Sequence, residues 1–306
     1  MDITFCCADT QAQPWLHDLR AALPEARITL WQPGDAPADY AVVWQPPQAF
    51  FTEQPALRAA FNLGAGVDAL LRLQIAPATR LVRLDDAGMA VQMAEYVCHA
   101  LVRHYRQFAG YEDSQRQRQW QERDIAPRSE MPVGIMGLGV LGQRVAQAVA
   151  QFEFPVNGWS RSAKSVPGVR CFSGAQGFHA FLAASRVLVS LLPTTAETRN
   201  LINRDTLSRL QPGAYVINIA RGAQLVEVDL LALLDSGHVA GAALDVFQSE
   251  PLAPEHPFWL HPRITITPHI AGLTVRSEAV AQIAGKLRAL ERGESVAGMV
   301  DRVRGY

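Results

Sequence analysis

The sequence predicts an α/β protein built as two doubly wound, parallel-sheet domains with a cleft between them. Short apolar runs alternate with segments of helical spacing through most of the 306 residues, the pattern of repeated strand–helix–strand units. The apolar runs are continuous rather than alternating, which suits strands covered on both faces by helices. One long helical stretch from Ala90 splits the alternation into two series, and a chain of this length accommodates two domains.

The first series opens with "ITFCCA" (3–8), a buried strand, and "WLHDLRAAL" (15–23), whose apolar spacing suits a helix. "RITLW" (27–31) and "YAVVWQ" (40–45) are strand-like, rich in β-branched and aromatic residues. "LRAAFNLGAGVDAL" (57–70) reads as a helix or a strand ending in a glycine-rich turn, and "RLVRL" (80–84) as another short strand. A helical pattern then runs from Ala90 to about Gln121, until Pro127 and Pro132 break it. In the second series "VGIMG", "PVNGWS", "RVLVSLL", "AYVINIA", "VAGAALDVF" and "RITITP" are the strands. "VLGQRVAQAVAQF", "FHAFLAAS", "RDTLSRL" and "LVEVDLLALL" are the helices between them. The segment 274–292 is helical again.

Composition narrows the partners. Apolar residues make up 49% of the chain and the net charge is −1, with both signs well mixed. No basic stripe points to nucleic acid and no polybasic segment to a membrane surface, so small molecules are the expected partners. No apolar run reaches the length of a membrane span. "MDITFCCADT" has an acid at position 2 and lacks the basic region of a signal peptide, and reads as the start of a mature cytoplasmic protein. Cys6, Cys7, Cys98 and Cys171 form no C-x-x-C pair and no ligand spacing. They are expected as small buried hydrophobes rather than redox or metal groups.

The first chemistry lies in "VGIMGLGVLGQRVAQAVA", where Gly137-x-Gly139-x-x-Gly142 stands directly between a strand and a helix. The first glycine permits the tight turn, the second lets backbone approach a pyrophosphate, and the third allows close helix–strand packing. The helix start, with Val140 and Leu141, offers free N–H groups and a positive dipole end to phosphates. This context predicts a dinucleotide site. In NAD sites an acid about 20 residues on binds the ribose hydroxyls. Here the chain has no Asp or Glu from Phe154 to Ala196, and Ser160, Arg161, Ser162 and Lys164 stand at that offset. Arg161 offers a bidentate fork, the two serines offer hydroxyls and Lys164 a point charge, which suits the 2′-phosphate of NADP. NADP is the expected cofactor, with NADPH preferred over NADH.

Open parallel sheets bind ligands at the carboxyl ends of their strands. "AYVINIARG" ends at Arg221, "AALDVFQSEP" carries Asp245 within the strand and Glu250 beyond it, "RITITPHIAG" ends at His269, and "VLVSLLPTT" ends at Leu192–Pro193. An Arg, a Glu and a His thus converge on the edge that holds the glycine turn. Reducing a ketone needs a hydride donor, a proton donor and a cation for the carbonyl or for an anionic substrate. An imidazolium can give the proton, a carboxylate on its other nitrogen orients it, and Arg grips a carboxylate in bidentate fashion. His17, His99, His104, His179, His238, His256 and His261 have no such position and read as surface or packing residues.

These residues resemble a known family. "GLGVLG", "LLPTTAETRNLIN", "INIARGAQLVEVDLLALLDSGHVAGAALDVFQSEPL" and "ITPHIAG", with "NLGAGVDAL" and "GMAVQMAEYV" in the first series, look like the NAD(P)-dependent D-2-hydroxyacid dehydrogenases. The short chain and "GWSRS" are most similar to the members that reduce glyoxylate and hydroxypyruvate. The resemblance implies two Rossmann-like domains: a substrate domain of residues 1–97 with 274–306, flavodoxin-like, and a dinucleotide domain of residues 98–273. It puts the family's catalytic Arg, Glu and His on Arg221, Glu250 and His269, and its substrate-carboxylate loop on Gly64, Ala65 and Gly66. Asp245 falls at the position near the nicotinamide amide. Leu192, Pro193, Ile219, Ala220 and Gly272 complete the expected cofactor contacts. Trp44, after an apolar strand, is a candidate wall that keeps the substrate pocket small, or equally an ordinary core Trp. The family habit is a homodimer, with the helix starting near Ala90 and its polar extension as the contact.

The reading is an NADPH-dependent 2-ketoacid reductase in which closure of the domains excludes water from the cleft. His269 protonates, Glu250 orients it, and Arg221 binds carbonyl and carboxylate. A nucleotide-sensing corepressor of the same fold is the competing class, although the sequence has no basic tail or disordered arm. A reductase for a larger 2-oxoacid is the third possibility.

Overall fold

A computed structural model describes residues 1–8 and 11–306. The chain divides into two units: Met1–Gly88 with Thr274–Tyr306, and Met89–Leu273. The first boundary precedes the sequence-based division at residue 97, which would cut a helix that belongs whole to the second unit.

The first unit contains β1 (Asp2–Cys7), α1 (Ala12–Ala22), β2 (Arg27–Leu30), β3 (Tyr40–Trp44), α2 (Gln48–Glu53), β4 (Ala59–Asn62) and β5 (Arg80–Val82). Its strands run parallel in the order β2-β1-β3-β4-β5, the flavodoxin-like winding. The segment 57–70, open between helix and strand by sequence, is β4 followed by a turn. All four residues of β4 are buried, so it has no polar face by which periodicity could type it. Helix α2 is absent from the sequence reading. It follows Pro47 and buries Phe50 and Phe51 in a core with Cys6, Ala41, Val43, Leu57, Ala60, Leu70 and Leu81.

The second unit starts with α3 (Met89–Tyr105) and α4 (Phe108–Arg116). The single helix expected to Gln121 breaks at Gln107, whose φ of +55° leaves the helical region. The sheet follows as β6 (Val133–Met136), α5 (Val140–Gln151), β7 (Val156–Ser160), β8 (Val169–Ser173), α6 (Gly174–Ala183), β9 (Val187–Ser190), α7 (Arg204–Ser208), β10 (Ala214–Asn218), α8 (Glu227–Asp235), β11 (Val239–Leu244) and β12 (Ile264–Ile266). Strand order is β12-β11-β10-β9-β6-β7-β8: the Rossmann arrangement extended by one strand. Edge strand β8, VRCFS, escapes the sequence reading because Arg170 interrupts it and Val169 is its one β-branched residue. Strand β11 stops at Leu244, so Asp245, expected within the strand, is the first residue past its end.

Helix α3 packs along α5, with Ala94, Val97 and Leu101 in one core with Val145, Ala146 and Val149. The chain then returns to the first unit as α9 (Arg276–Glu291). There Arg288 bonds Glu25 and the Tyr40 hydroxyl donates to Glu291. Only Cys6 of the four cysteines is buried, the other three are partly so, and all are free thiols. No helix among the described residues is long and apolar enough to cross a membrane.

Candidate active site

Strands β6 and β9 are neighbours, yet the chain leaves β6 toward β7 and returns to β9 from the far side. The loops after them diverge at this switch point, the usual crevice for a ligand. The three glycines after β6 have three different environments. Gly137 has φ +108°, and a Cβ on it would lie 3.1 Å from the Leu191 carbonyl. A Cβ on Gly142 would lie 1.8 Å from the Gly137 oxygen, so helix α5 can approach its turn only through glycine. A Cβ on Gly139 would meet nothing within 4 Å. The space before the turn is open, and no side chain caps α5 at Gly139, so the amides of its first turn, at Val140 and Leu141, lack helical partners. This cradle fits a pyrophosphate.

Past β7, Arg161, Ser162 and Lys164 are exposed, while Ser160 is buried. The Ser160 hydroxyl donates to the Ser162 carbonyl at 2.8 Å, so Ser160 shapes this turn. Two cations and no carboxylate on an exposed turn fit a further phosphate.

Two buried amides organise the neighbouring strand ends. Gln224, fully buried, donates to the carbonyls of Leu192 (2.6 Å) and Pro193 (3.2 Å) and accepts from Ser190 Oγ at 2.7 Å. Asn218, ending β10, accepts from the Ala220 amide and donates to the Arg221 carbonyl, both at 3.2 Å. Ile219 and Ala220 are buried beside it. Sequence reasoning passes over both amides. For Asn218 the one signal available was a polar residue closing an apolar strand run; Gln224, in the loop beyond, carries none.

Glu250 and His269 meet. Glu250 Oε1 accepts from the Phe247 amide at 2.9 Å, and Oε2 lies 2.8 Å from His269 Nδ1. Burial raises the Glu250 pKa. The His269 bond, the Phe247 amide and the charges of His269 and Arg221 outweigh it and hold the carboxyl below its usual range. An ionised carboxylate can only accept, so Nδ1 carries the proton and Nε2 is the nitrogen available to a ligand. Arg221 takes an extended backbone just past β10, and its Nη1 donates to the Ala220 carbonyl at 2.6 Å.

Asp245 is 1% exposed. Its Oδ1 accepts from Thr267 Oγ1 (2.6 Å) and the Ile270 amide (2.8 Å), and its Oδ2 from the Ala271 amide (2.8 Å). Both oxygens therefore hold the segment that carries His269. Next to it, a Cβ on Gly272 would lie 3.1 Å from Met93. Tyr96 and Thr267, joined at 2.8 Å, were invisible to sequence reasoning.

In the first unit, Trp44 ends β3 partly buried, and its ring lies where a Cβ on Gly64 would be, 2.6 Å away. The buried Asn62 amide donates to the carbonyls of Gly64 (3.0 Å) and Gly66 (2.9 Å). Those carbonyls are thereby engaged. Among the described residues none accepts from the backbone amides of Gly64, Ala65 or Gly66.

Known proteins match this arrangement. The D-isomer specific 2-hydroxyacid dehydrogenase NAD binding domain matches residues 98–271. The chain is 47% identical to glyoxylate/hydroxypyruvate reductase A of Serratia proteamaculans (strain 568), with 100% of each protein covered. It is similar, at a TM-score of 0.94 and 39% identity, to the D-isomer specific 2-hydroxyacid dehydrogenase of Xanthobacter autotrophicus Py2 in complex with NADPH and MES, covering 100% of this chain and 99% of that one. It is equally similar, at a TM-score of 0.94 with 34% identity and the same coverage, to the NADPH-dependent glyoxylate/hydroxypyruvate reductase of Sinorhizobium meliloti in complex with NADP and sulfate. With a glycine cradle at the switch point of a Rossmann sheet and a family match over more than half its length, the chain belongs to the D-isomer specific 2-hydroxyacid dehydrogenases, NAD(P)-dependent oxidoreductases.

Proposed function

We propose that this chain is an NADPH-dependent reductase of small 2-oxoacids, turning glyoxylate into glycolate and hydroxypyruvate into D-glycerate. The observation that carries the reading is the 2.8 Å pair of His269 and Glu250, with Arg221 charge acting on the same carboxylate. The NADPH and NADP complexes of the two relatives support the cofactor, as does the acid-free turn after β7.

Held at the glycine turn, NADPH would supply the hydride for C2 of the oxoacid. His269 Nε2 gives the proton to the C2 oxygen, so the carbonyl becomes a C–H and an O–H. Glu250, ionised, holds the ring by Nδ1 and balances its positive charge. Arg221 carries the cation that polarises the carbonyl and grips the carboxylate. We assign reception of the substrate carboxylate to the amides of Gly64, Ala65 and Gly66, and the limit on substrate size to Trp44. Gly137, Gly139, Val140, Leu141 and Gly142 would hold the pyrophosphate. Arg161, Ser162 and Lys164 would take the 2′-phosphate on a turn shaped by Ser160. Leu192, Pro193, Ile219, Ala220, Asp245 and Gly272 would line the rest of the nucleotide.

A panel of 2-oxoacids with NADPH and with NADH, followed by nicotinamide absorbance, tests the reading. NADPH consumption with glyoxylate and hydroxypyruvate is expected, and His269→Ala lowers it by about 10²–10⁴-fold. Near-normal turnover in that variant would remove His269 as the acid. No consumption with any acid would favour a binding protein of the same fold.

A homodimer completes the reading. Phe108, Trp120 and Ile125 are apolar yet exposed, Trp120 wholly so, and such residues close together in one segment suit coverage by a second copy.

A further inference from the structure

His269 adopts φ +56°, a left-handed backbone that an L side chain seldom takes. Something must hold it. The His269 amide donates to the Asp245 carbonyl at 2.8 Å, and the Asp245 carboxylate binds the two amides that follow, Ile270 and Ala271. One residue thus clamps the chain at His269 and just after it. The side chain of that clamp is itself held. A carboxylate only accepts, so the Thr267 hydroxyl proton points to Asp245 Oδ1 at 2.6 Å. Thr267 Oγ1 then has only lone pairs to offer, and the Tyr96 hydroxyl, 2.8 Å away, is the donor. Burial pushes the Tyr96 phenol up to about 12, so it keeps the proton it gives. The bonds run one way, from Tyr96 to Thr267 to Asp245, and such a chain strengthens each member.

We infer that Thr267, acting through Asp245 with Tyr96 behind it, is a positioning residue that sets the His269 imidazole for proton delivery. The inference rests on the reading of His269 as the proton donor. Neither residue touches the reacting atoms in this account. Thr267→Val keeps the side-chain shape and deletes the proton, so Oδ1 is left with the Ile270 amide alone and the clamp is free to turn.

The test compares Thr267→Val, Thr267→Ser and Tyr96→Phe. In Thr267→Val, kcat for glyoxylate is expected to fall on the order of ten- to a hundred-fold, as misplacement of a reacting group does. KM for glyoxylate stays close to the wild-type value, a split that marks a loss confined to the transition state. Thr267→Ser, which restores the hydroxyl, recovers most of kcat, and Tyr96→Phe falls between. The second readout is the downfield Nδ1–H proton resonance of His269 in the nucleotide-free protein, assigned by its loss in Glu250→Gln. It shifts or broadens in Thr267→Val and returns in Thr267→Ser. An unchanged kcat with a lowered Tm would make Thr267 a stability residue and overturn the inference. So would an equal loss of kcat in Thr267→Val and Thr267→Ser. If the wild-type protein reduces no 2-oxoacid, the proton-donor reading fails by itself. The resonance still decides the positioning: one that does not move in Thr267→Val overturns it.

Discussion

In the proposed reading, Arg161 decides between two cofactors that differ by one phosphate. A charge-assisted bond to that phosphate contributes about 1.5–3 kcal/mol, so Arg161→Ala should weaken NADPH binding by roughly ten- to a hundred-fold and leave NADH nearly untouched. Fluorescence titration with both nucleotides measures this, and equal loss for the two would return Arg161 to an ordinary surface role. Glu250 is a second point. Its folded pKa lies below the ordinary value, so its charge, and the stability tied to that charge, are present above the unfolded value of about 4.3. They are lost only as pH falls through the lower folded value. Activity therefore keeps this carboxylate throughout the neutral range, and Glu250→Gln should cut kcat by about 10²-fold at pH 7 without changing NADPH affinity. Arg221, Glu250, His269 and the glycine turn were open to proposal from the sequence because each follows an apolar strand, where a parallel sheet binds ligands. Asn62, Asn218, Gln224 and Thr267 were not. Their roles come from partners 2–171 positions away, and no spacing rule encodes such a bond.

At the scale of elements, the strand–turn–helix of Val133–Gln151 separates two uses of glycine. Gly142→Ala places a methyl against the Gly137 oxygen, where backbone must move. It should lower Tm by several degrees in a thermal melt, as overpacking costs about 1–3 kcal/mol. Gly139→Ala meets open space at an ordinary negative φ. It should leave Tm unchanged and weaken nucleotide binding, because the methyl enters the space that the phosphates need. A matching loss of Tm in both variants would contradict this separation. The sequence reading found the fully buried β6, β9 and β10, and also β2 and β12, which are less covered but rich in β-branched residues. It missed β8, an edge strand interrupted by Arg170, and α2, a six-residue helix between Pro47 and Pro55. The break at Gln107 leaves no mark either, since Gln is a good helix former.

For the molecule as a whole, His104 predicts how the fold meets acid. Its ring stacks on Tyr215, with centroids 4.0 Å apart at 13°. Burial first, and the Arg186 charge second, lower its pKa to about 4. The unfolded chain takes up this proton near pH 6.5, so stability is full above that value and falls as pH drops toward the folded value. The loss reaches roughly 3 kcal/mol. His104→Phe keeps a ring on Tyr215 and removes the titration, so the Tm difference between pH 7.5 and 5 should narrow. In solution, sedimentation should give twice the chain mass, and Trp120→Asp should shift it toward one. The doubly wound winding was readable from the alternation of strands and helices. The boundary at Gly88 was not, because it depends on α3 packing with α5 rather than on anything in its own composition.

Every bond that fixes His269, to Glu250, Asp245, Thr267 and Tyr96 in turn, lies within Met89–Leu273. The carboxylate turn and Trp44 belong to the other stretch of chain. On the proposed roles, the proton donor, its supports and Arg221 are written in one part of the gene product, and the carboxylate turn with Trp44 in another. Substitutions in residues 1–88 would then revise which acid is accepted while His269 keeps every one of its supports.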